Sequence, residues 1–519
     1  MKKNIKTLAA LLIASATFVA CSSDNDIIGE NQQPVNPTGK YTMTINASKG
    51  DGATTRALNL TDHTLNATWS EGEIVEVYQG GSKIGELTAA ASTDASTTLT
   101  GTFDAAPSTS ADLTFYFHTN TTSYSGQDGT LATIASSYDF CAPATVATGD
   151  FTVNSANHTI SVPAGISFGA NQQAIIKFTL KDKGNGNASI SPSAFTVTDG
   201  TSTVSLTDIP AATYTANEAA GVLYVAFPAA GSAKTVTLTA TAGGNTYSYE
   251  KTGVSFTNGQ YYEIGVKMSP IISLSGRTYL DDELVIADGY IVTGYATAYS
   301  CKVAVADGAT VTLRDVENNN GNLDPSSACP GIRCIGDATI ILEGNNTVNG
   351  GGLYAGIYVP EGKTLTIRGT GSLTVTGGSS GAGIGGNNEG NCGSIVISGG
   401  TITATGGSHG AGIGLGYSSG CVFGDITISG GTVTATGCDE APGIGGPYAY
   451  FDNITITDGV TKVTVNKGSN STYSIGTSDS GDMEYCGVIT IGGTVYHDWG
   501  YFDNDGDSYL QTSPLVYQP

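Results

Sequence analysis

The stretch SSGAGIGGNNEG, Ser379 to Gly390, decides the fold. Glycines at this density suit either a loop that cradles a phosphate or the corner of a repeat. A dinucleotide loop needs a strand before it and a helix after it, so that helix N–H groups face the pyrophosphate. Here the glycines run into NCGSIVISGG, which alternates like a strand, and nearly the same string returns as GAGIGL at Gly410 to Leu415. Aligned on the apolar residue of the turn, the chain gives Val303, Ile332, Ile357, Ile384, Ile413, Ile444 and Ile475. Their spacings are 29, 25, 27, 29, 31 and 31 residues. Each interval holds a Gly-Ile turn, a strand such as KTLTIRG or SIVISGG, and a second strand such as SLTVTGG or TITATGG.

A period of this length, built only from short strands and glycine corners, is that of a single-stranded parallel β-helix. Alternation turns Ile395, Ile397, Ile402 and Ala404 inward and Thr401, Thr403 and Thr405 outward. About seven coils spaced by about 4.8 Å stack to roughly 30 Å. The glycines are therefore corners, and no nucleotide site is read from them. In TVTLRD, TIILEG and TLTIRG, residues Arg314, Glu343 and Arg368 align on successive coils as a plus-minus-plus ladder. Exposed pairs of that kind contribute roughly 0.5 kcal/mol each and mainly hold register.

The rest of the 519-residue chain is also strand-like, so the expected class is all-β. Only 13% of residues are charged, and 21 Lys+Arg stand against 45 Asp+Glu, a net charge of -24. That balance argues against nucleic acid as a partner. The N-terminus carries Lys2, Lys3 and Lys6 and then LAALLIASATFVA, an apolar run too short for an ordinary span, ending before Cys21. This resembles a lipoprotein signal over residues 1–20, with Cys21 as the lipid attachment site, although Phe18 stands where leucine is usual. A polar tether over 21–40 follows, and its Asp24 and Asp26 resemble the signals that carry some lipoproteins to the outer face of the cell outer membrane. Three acyl groups would anchor such a chain firmly. The other eight cysteines lack paired CxxC spacing and read mainly as small buried hydrophobes.

Between the tether and the repeat lie GEIVEVYQG, ADLTFYFHT, AIIKFTLKD, GVLYVAFPA and a hairpin around Gly243-Gly244. They suggest one or two β-sandwich domains, divided as 41–155 and 156–269, ahead of a β-helix with a C-terminal cap over 270–519. The opening TTRALNLTDHTLNATWSEGEIVEVYQGG, with Trp69 before Ser-Glu-Gly72-Glu73, and the closing VSFTNGQYYEIGVKM resemble fimbrillin-type proteins of type V pili. The resemblance covers residues 41–268, with Glu73 where relatives more often have Asp. It implies transthyretin-like sandwiches and a lipoprotein precursor cut after an arginine near the first strand. Removing that strand would open a groove for a strand from another subunit. Arg56-Ala57 stands at the matching place; otherwise Arg56 is an ordinary solvated residue before a strand.

Site chemistry is sparse. No Ser-His-Asp set or carboxylate pair is visible, His409 and His497 read as isolated, and no enzymatic activity is expected. No cofactor is required. Asp503, Asp505 and Asp507 match three positions of a calcium loop, but Pro514 stands where the bidentate Glu belongs, so a solvated acidic turn is the preferred reading. Tyr354, Tyr417, Tyr448 and Tyr450 surround the Gly-Ile corners and are candidate glycan contacts. Trp499 is another, or part of an end cap. The repeat resembles right-handed, non-catalytic, polysaccharide-binding β-helices. The expected protein is a surface lipoprotein adhesin, pilus-associated or at a pilus tip, located in the outer membrane or in the fimbrium after processing. The alternative is a solitary glycan-binding lipoprotein; a third reading, a degenerate polysaccharide lyase, is disfavoured by the arginine ladder.

Overall fold

The computed structural model describes residues 39–49, 59–61, 64–66, 69–92, 96–117, 119, 122–217, 219–229, 231–276, 283–296, 302–320, 328–417, 420–477, 486–498 and 508–519. Among these residues the architecture is all-β apart from two short helical turns at Leu131–Tyr138 and Ala211–Ala216.

The first core is organised by strand Tyr41–Lys49. It pairs antiparallel with Ser96–Phe103 on one side and parallel with Thr159–Ser161 and Ile166–Phe168 on the other. Met43, Ile45 and Ala47 point into the core, while Thr44 and Asn46 between them face out. Because 159–168 completes this sheet, the first core runs to Phe168, beyond the division at 156 expected from the sequence. The Trp69 motif has a direct physical role here. The indole is buried against Phe117 and Phe168, with ring centroids at 5.5 and 6.0 Å. Gly72, at φ +88°, lets the chain turn back so that its N–H donates to Ala89 O. Glu73 O in turn accepts from the Ala89 N–H.

A second core spans Ala174 to Met268. Its central strand, Ala174–Asp182, lies antiparallel to Val222–Phe227 and parallel to the start of Tyr261–Ser273. The hairpin at Gly243-Gly244 forms as expected, both glycines having positive φ and Ala242 pairing with Asn245. Strand Tyr261–Ser273 does not stop at the edge of this core. Its residues 269–271 pair with 246–248, and its last three, Ile271–Ser273, pair with Ile291–Thr293 at the start of the repeat. One strand is thus shared between the second core and the β-helical region.

In that region parallel strands stack coil on coil around one continuous apolar column. The residues aligned in the sequence are direct partners: Ile332 with Ile357, then Ile384, Ile413, Ile444 and Ile475, each at most 1% exposed. The ladder begins one rung earlier than the seven read from the turns, because Leu284–Ile286 pairs with Val303–Val305 without the Gly-Ile signature. The expected inward and outward faces of 395–405 hold, with Ile395, Ile397, Ile402 and Ala404 buried. The charge ladder is corrected. Arg314 pairs with Glu343, Nε to Oε2 at 2.6 Å, but Arg368 falls opposite Ile341. Inward Ile367 seats on Ile340, which shifts its strand by two residues from the alignment of the charges. At the far end Leu515–Tyr517 runs antiparallel to Lys462–Asn466, and buried Leu510 and Leu515 close the column.

The glycine that follows the isoleucine of each Gly-Ile-Gly corner explains why the motif repeats. Gly385, Gly414 and Gly445 have φ of +133°, +131° and +129°. A Cβ on each would lie 1.9, 1.9 and 1.8 Å from the carbonyl oxygen one rung on. Gly414→Ala is therefore expected to destabilise the protein by about 2 kcal/mol or more, read as a fall in thermal midpoint. Thr403→Ala, outward in the same coil, should change it by less than about 0.5 kcal/mol. Equal midpoints for the two variants would refute the steric account.

Candidate functional site

At the Ile384 and Ile413 corners the chain doubles back. Ala382 N–H donates to Gly386 O at 3.0 Å and Ala411 N–H to Leu415 O at 2.9 Å. At these two corners the loop before the short strand meets the loop after it, and the corner loops of successive coils form one edge of the column. Tyr354, Tyr417 and Tyr448 lie on that edge, their backbones fixed by neighbouring rungs. Gly378 N–H donates to Tyr354 O, Tyr417 N–H to Ser380 O, Glu389 N–H to Tyr417 O, and Gly420 N–H to Tyr448 O, at 2.7–3.0 Å. Leu353, 52% exposed, accepts from Asn388 N–H and adds apolar surface beside Tyr354. Tyr450 sits elsewhere. It is paired with Val422 on a side wall, while Phe451 beside it turns inward and stacks on Phe423 at 5.3 Å.

The sequence reading of His409 as isolated is overturned. Its ring lies 5.2 Å from that of Tyr417, and its Nδ1 faces Oδ2 of Asp439 at 3.2 Å, off the line of a full hydrogen bond. Oδ1 of Asp439 accepts from Nδ2 of Asn470 at 2.5 Å. Residues 409, 439 and 470 follow one another at about one coil each, so the coil period brings together what linear spacing separates. Adding the repeat length to His409 is the one signal in the sequence that could have found Asp439.

Two arginines of the repeat form ion pairs: Arg314 holds Glu343, and Arg333 holds Glu283 through its Nε and Nη2, which keeps the Glu283 carboxyl below its usual range. Among the described residues no group of three or more His, Cys, Asp or Glu is placed to hold a metal ion. Cys21, Arg56, Ala57, Trp499, Asp503, Asp505 and Asp507 lie outside the described residues.

Residues 395–417 and 426–446 match the beta helix repeat family model. No curated protein matches the sequence. Among solved structures, the chain is similar to a candidate cell adhesion protein from Bacteroides uniformis, at 14% identity and a TM-score of 0.23. That likeness covers 45% of this chain and 94% of the other. The TIE protein of Bacillus anthracis is similar at 13% identity and a TM-score of 0.13, over 47% of this chain and 36% of its own. Likeness at this level carries no functional argument.

Cys334, Cys392 and Cys486 are buried thiols, and Cys329 is buried as well. Burial pushes the thiols of Cys334 and Cys486 from an ordinary 9.0 up to about 12, and raises that of Cys392 as well. Thiolate is the reactive form, so these groups are chemically quiet at neutral pH. Because the folded state holds these protons more tightly, their contribution is complete below pH 9 and is lost as pH rises towards about 12. Each adds a slope of about 1.4 kcal/mol per pH unit in that window. Denaturant melts between pH 8 and 11 should show stability falling with pH, and a thiol reagent at pH 7.5 should label the buried thiols only after unfolding. Rapid labelling of the native protein at these positions would contradict the assignment.

Proposed function

We propose that the protein is a cell-surface adhesion lipoprotein, delivered to the outer membrane through acylated Cys21 and released from that anchor by a cut after Arg56, whose base exchanges strands and whose β-helix meets a glycan. The observation that carries this is the position of strand Tyr41–Lys49. It lies between two neighbours in the first sheet, buries Met43, Ile45 and Ala47, and precedes Arg56 in the chain. One cut after Arg56 would leave that strand without a covalent link to its sheet. Losing it would expose an apolar groove flanked by Ser96–Phe103 and Ile166–Phe168, the acceptor that strand addition requires. The bases in this reading are two transthyretin-like sandwiches, and the stack beyond them is a parallel β-helix that occupies the place of a pilus-associated or tip subunit. No turnover is proposed for any part of the chain, and calcium at Asp503, Asp505 and Asp507 is not required for adhesion.

A solitary glycan-binding lipoprotein is the second reading. What favours it is that the first core is complete without a partner, since Tyr41–Lys49 is already paired on both edges.

Mass spectrometry of the mature N-terminus on native cells separates the two. Ala57 as the first residue is expected for the strand-exchange protein, and acylated Cys21 joined to an intact Arg56 would reject it in favour of the solitary form. In vitro, protein cut at Arg56 and stripped of its first strand should regain its thermal midpoint when a peptide of residues 41–49 is added. The same peptide carrying Met43→Asp should not restore it.

A further inference from the structure

We infer that Tyr417 and His409, backed by Asp439 and Asn470, form the centre of a binding site for a neutral pyranose polymer lying along the corner edge. This rests on the glycan-contact reading above and assigns it a place and a ligand class.

Tyr417 is 40% exposed although its backbone is held on both sides, so the ring stands in water on a rigid mount. The His409 side chain is 41% exposed, yet its Nδ1 is covered and turned to Asp439, which leaves the edge carrying Nε2 open beside the tyrosine. Asn470 fixes the Asp439 carboxylate from the next coil. A flat aromatic face next to an oriented ring nitrogen suits a pyranose: its C–H face covers Tyr417 and a hydroxyl reaches His409. Preorganisation lowers the ordering cost of that contact. The edge also repeats. Tyr354 and Leu353 lie two rungs below and Tyr448 one rung above, at about 4.8 Å per rung, so a linear chain along the axis meets apolar surface again within a few sugar units. Charge narrows the class. Asp439 faces His409, Glu440 follows it in the chain, and the Glu389 N–H donates to Tyr417 O, so acids lie beside the site and repel uronate or sulfated polymers.

Affinity electrophoresis and calorimetry on the full chain, with laminarin and yeast mannan as neutral probes and polygalacturonate as the acidic one, test this. Binding to at least one neutral probe and none to polygalacturonate is expected. Tyr417→Ala should weaken binding about tenfold. Asp439→Ala should weaken it severalfold while Asp439→Asn restores most of the affinity, because Asp439 acts through the orientation of His409. Thermal midpoints monitored alongside should not move for the exposed Tyr417→Ala. Neutral-probe binding that is equal in wild type and Tyr417→Ala overturns the site but leaves a glycan-binding β-helix standing. Failure of the wild type to bind either neutral probe, or binding to polygalacturonate instead, overturns the ligand class, and failure with all three removes the glycan reading as well.

Discussion

Seating each inward isoleucine on the one below it is the contact from which the rest of the β-helical region follows. Burying a side chain of that size contributes about 1.5–3 kcal/mol, and the column repeats it at Ile332, Ile357, Ile384, Ile413, Ile444 and Ile475. For those residues to pair, the backbone beside them must approach its neighbour more closely than any Cβ permits, which is why glycine recurs at 385, 414 and 445. The corner geometry then turns the flanking loops back on themselves. That reversal builds the edge on which Tyr354, Tyr417 and Tyr448 stand. Core packing and surface layout are thus consequences of a single stacking rule.

The sequence discloses what depends on that rule and conceals what departs from it. Aligning the apolar turn residues recovers their true partners, because side chains buried at a fixed place in every coil recur at a readable interval. Leu284 occupies the same column but is missed, since its turn lacks the glycines. Arg368 is misplaced because charge was used to set a register that Ile340 and Ile367 decide. The meeting of His409 with Asp439 is hidden for a different reason. Neither residue is unusual locally, and their contact exists only through the coil length. In the first core, strands of three residues such as Thr159–Ser161 are too short to show periodicity, so the end of that core at Phe168 could not be read.

Two strands matter to the fold in opposite ways. Tyr41–Lys49 fills the middle of a sheet from one end of the chain, so its loss would open that sheet and leave the other cores untouched. Tyr261–Ser273 does the opposite and welds two cores together. Ile271 pairs with both Thr246 and Ile291 and marks the point where the strand's partner changes from one core to the next, and Tyr290, from the first coil, lies against Gly184 and leaves no room for a side chain there.

The shared strand has a mechanical consequence. Tension applied between the N-terminal part of the chain and the β-helix must cross from one core to the next through Tyr261–Ser273. There the load runs along the strand and acts on its hydrogen bonds to Ala174–Asp182 and to Ile291–Tyr295 in parallel register. Bonds loaded lengthwise in this way break together, whereas those of a peeled hairpin break one at a time. The joint between the two halves resists force as a lap splice does, by shear, instead of swinging as a hinge.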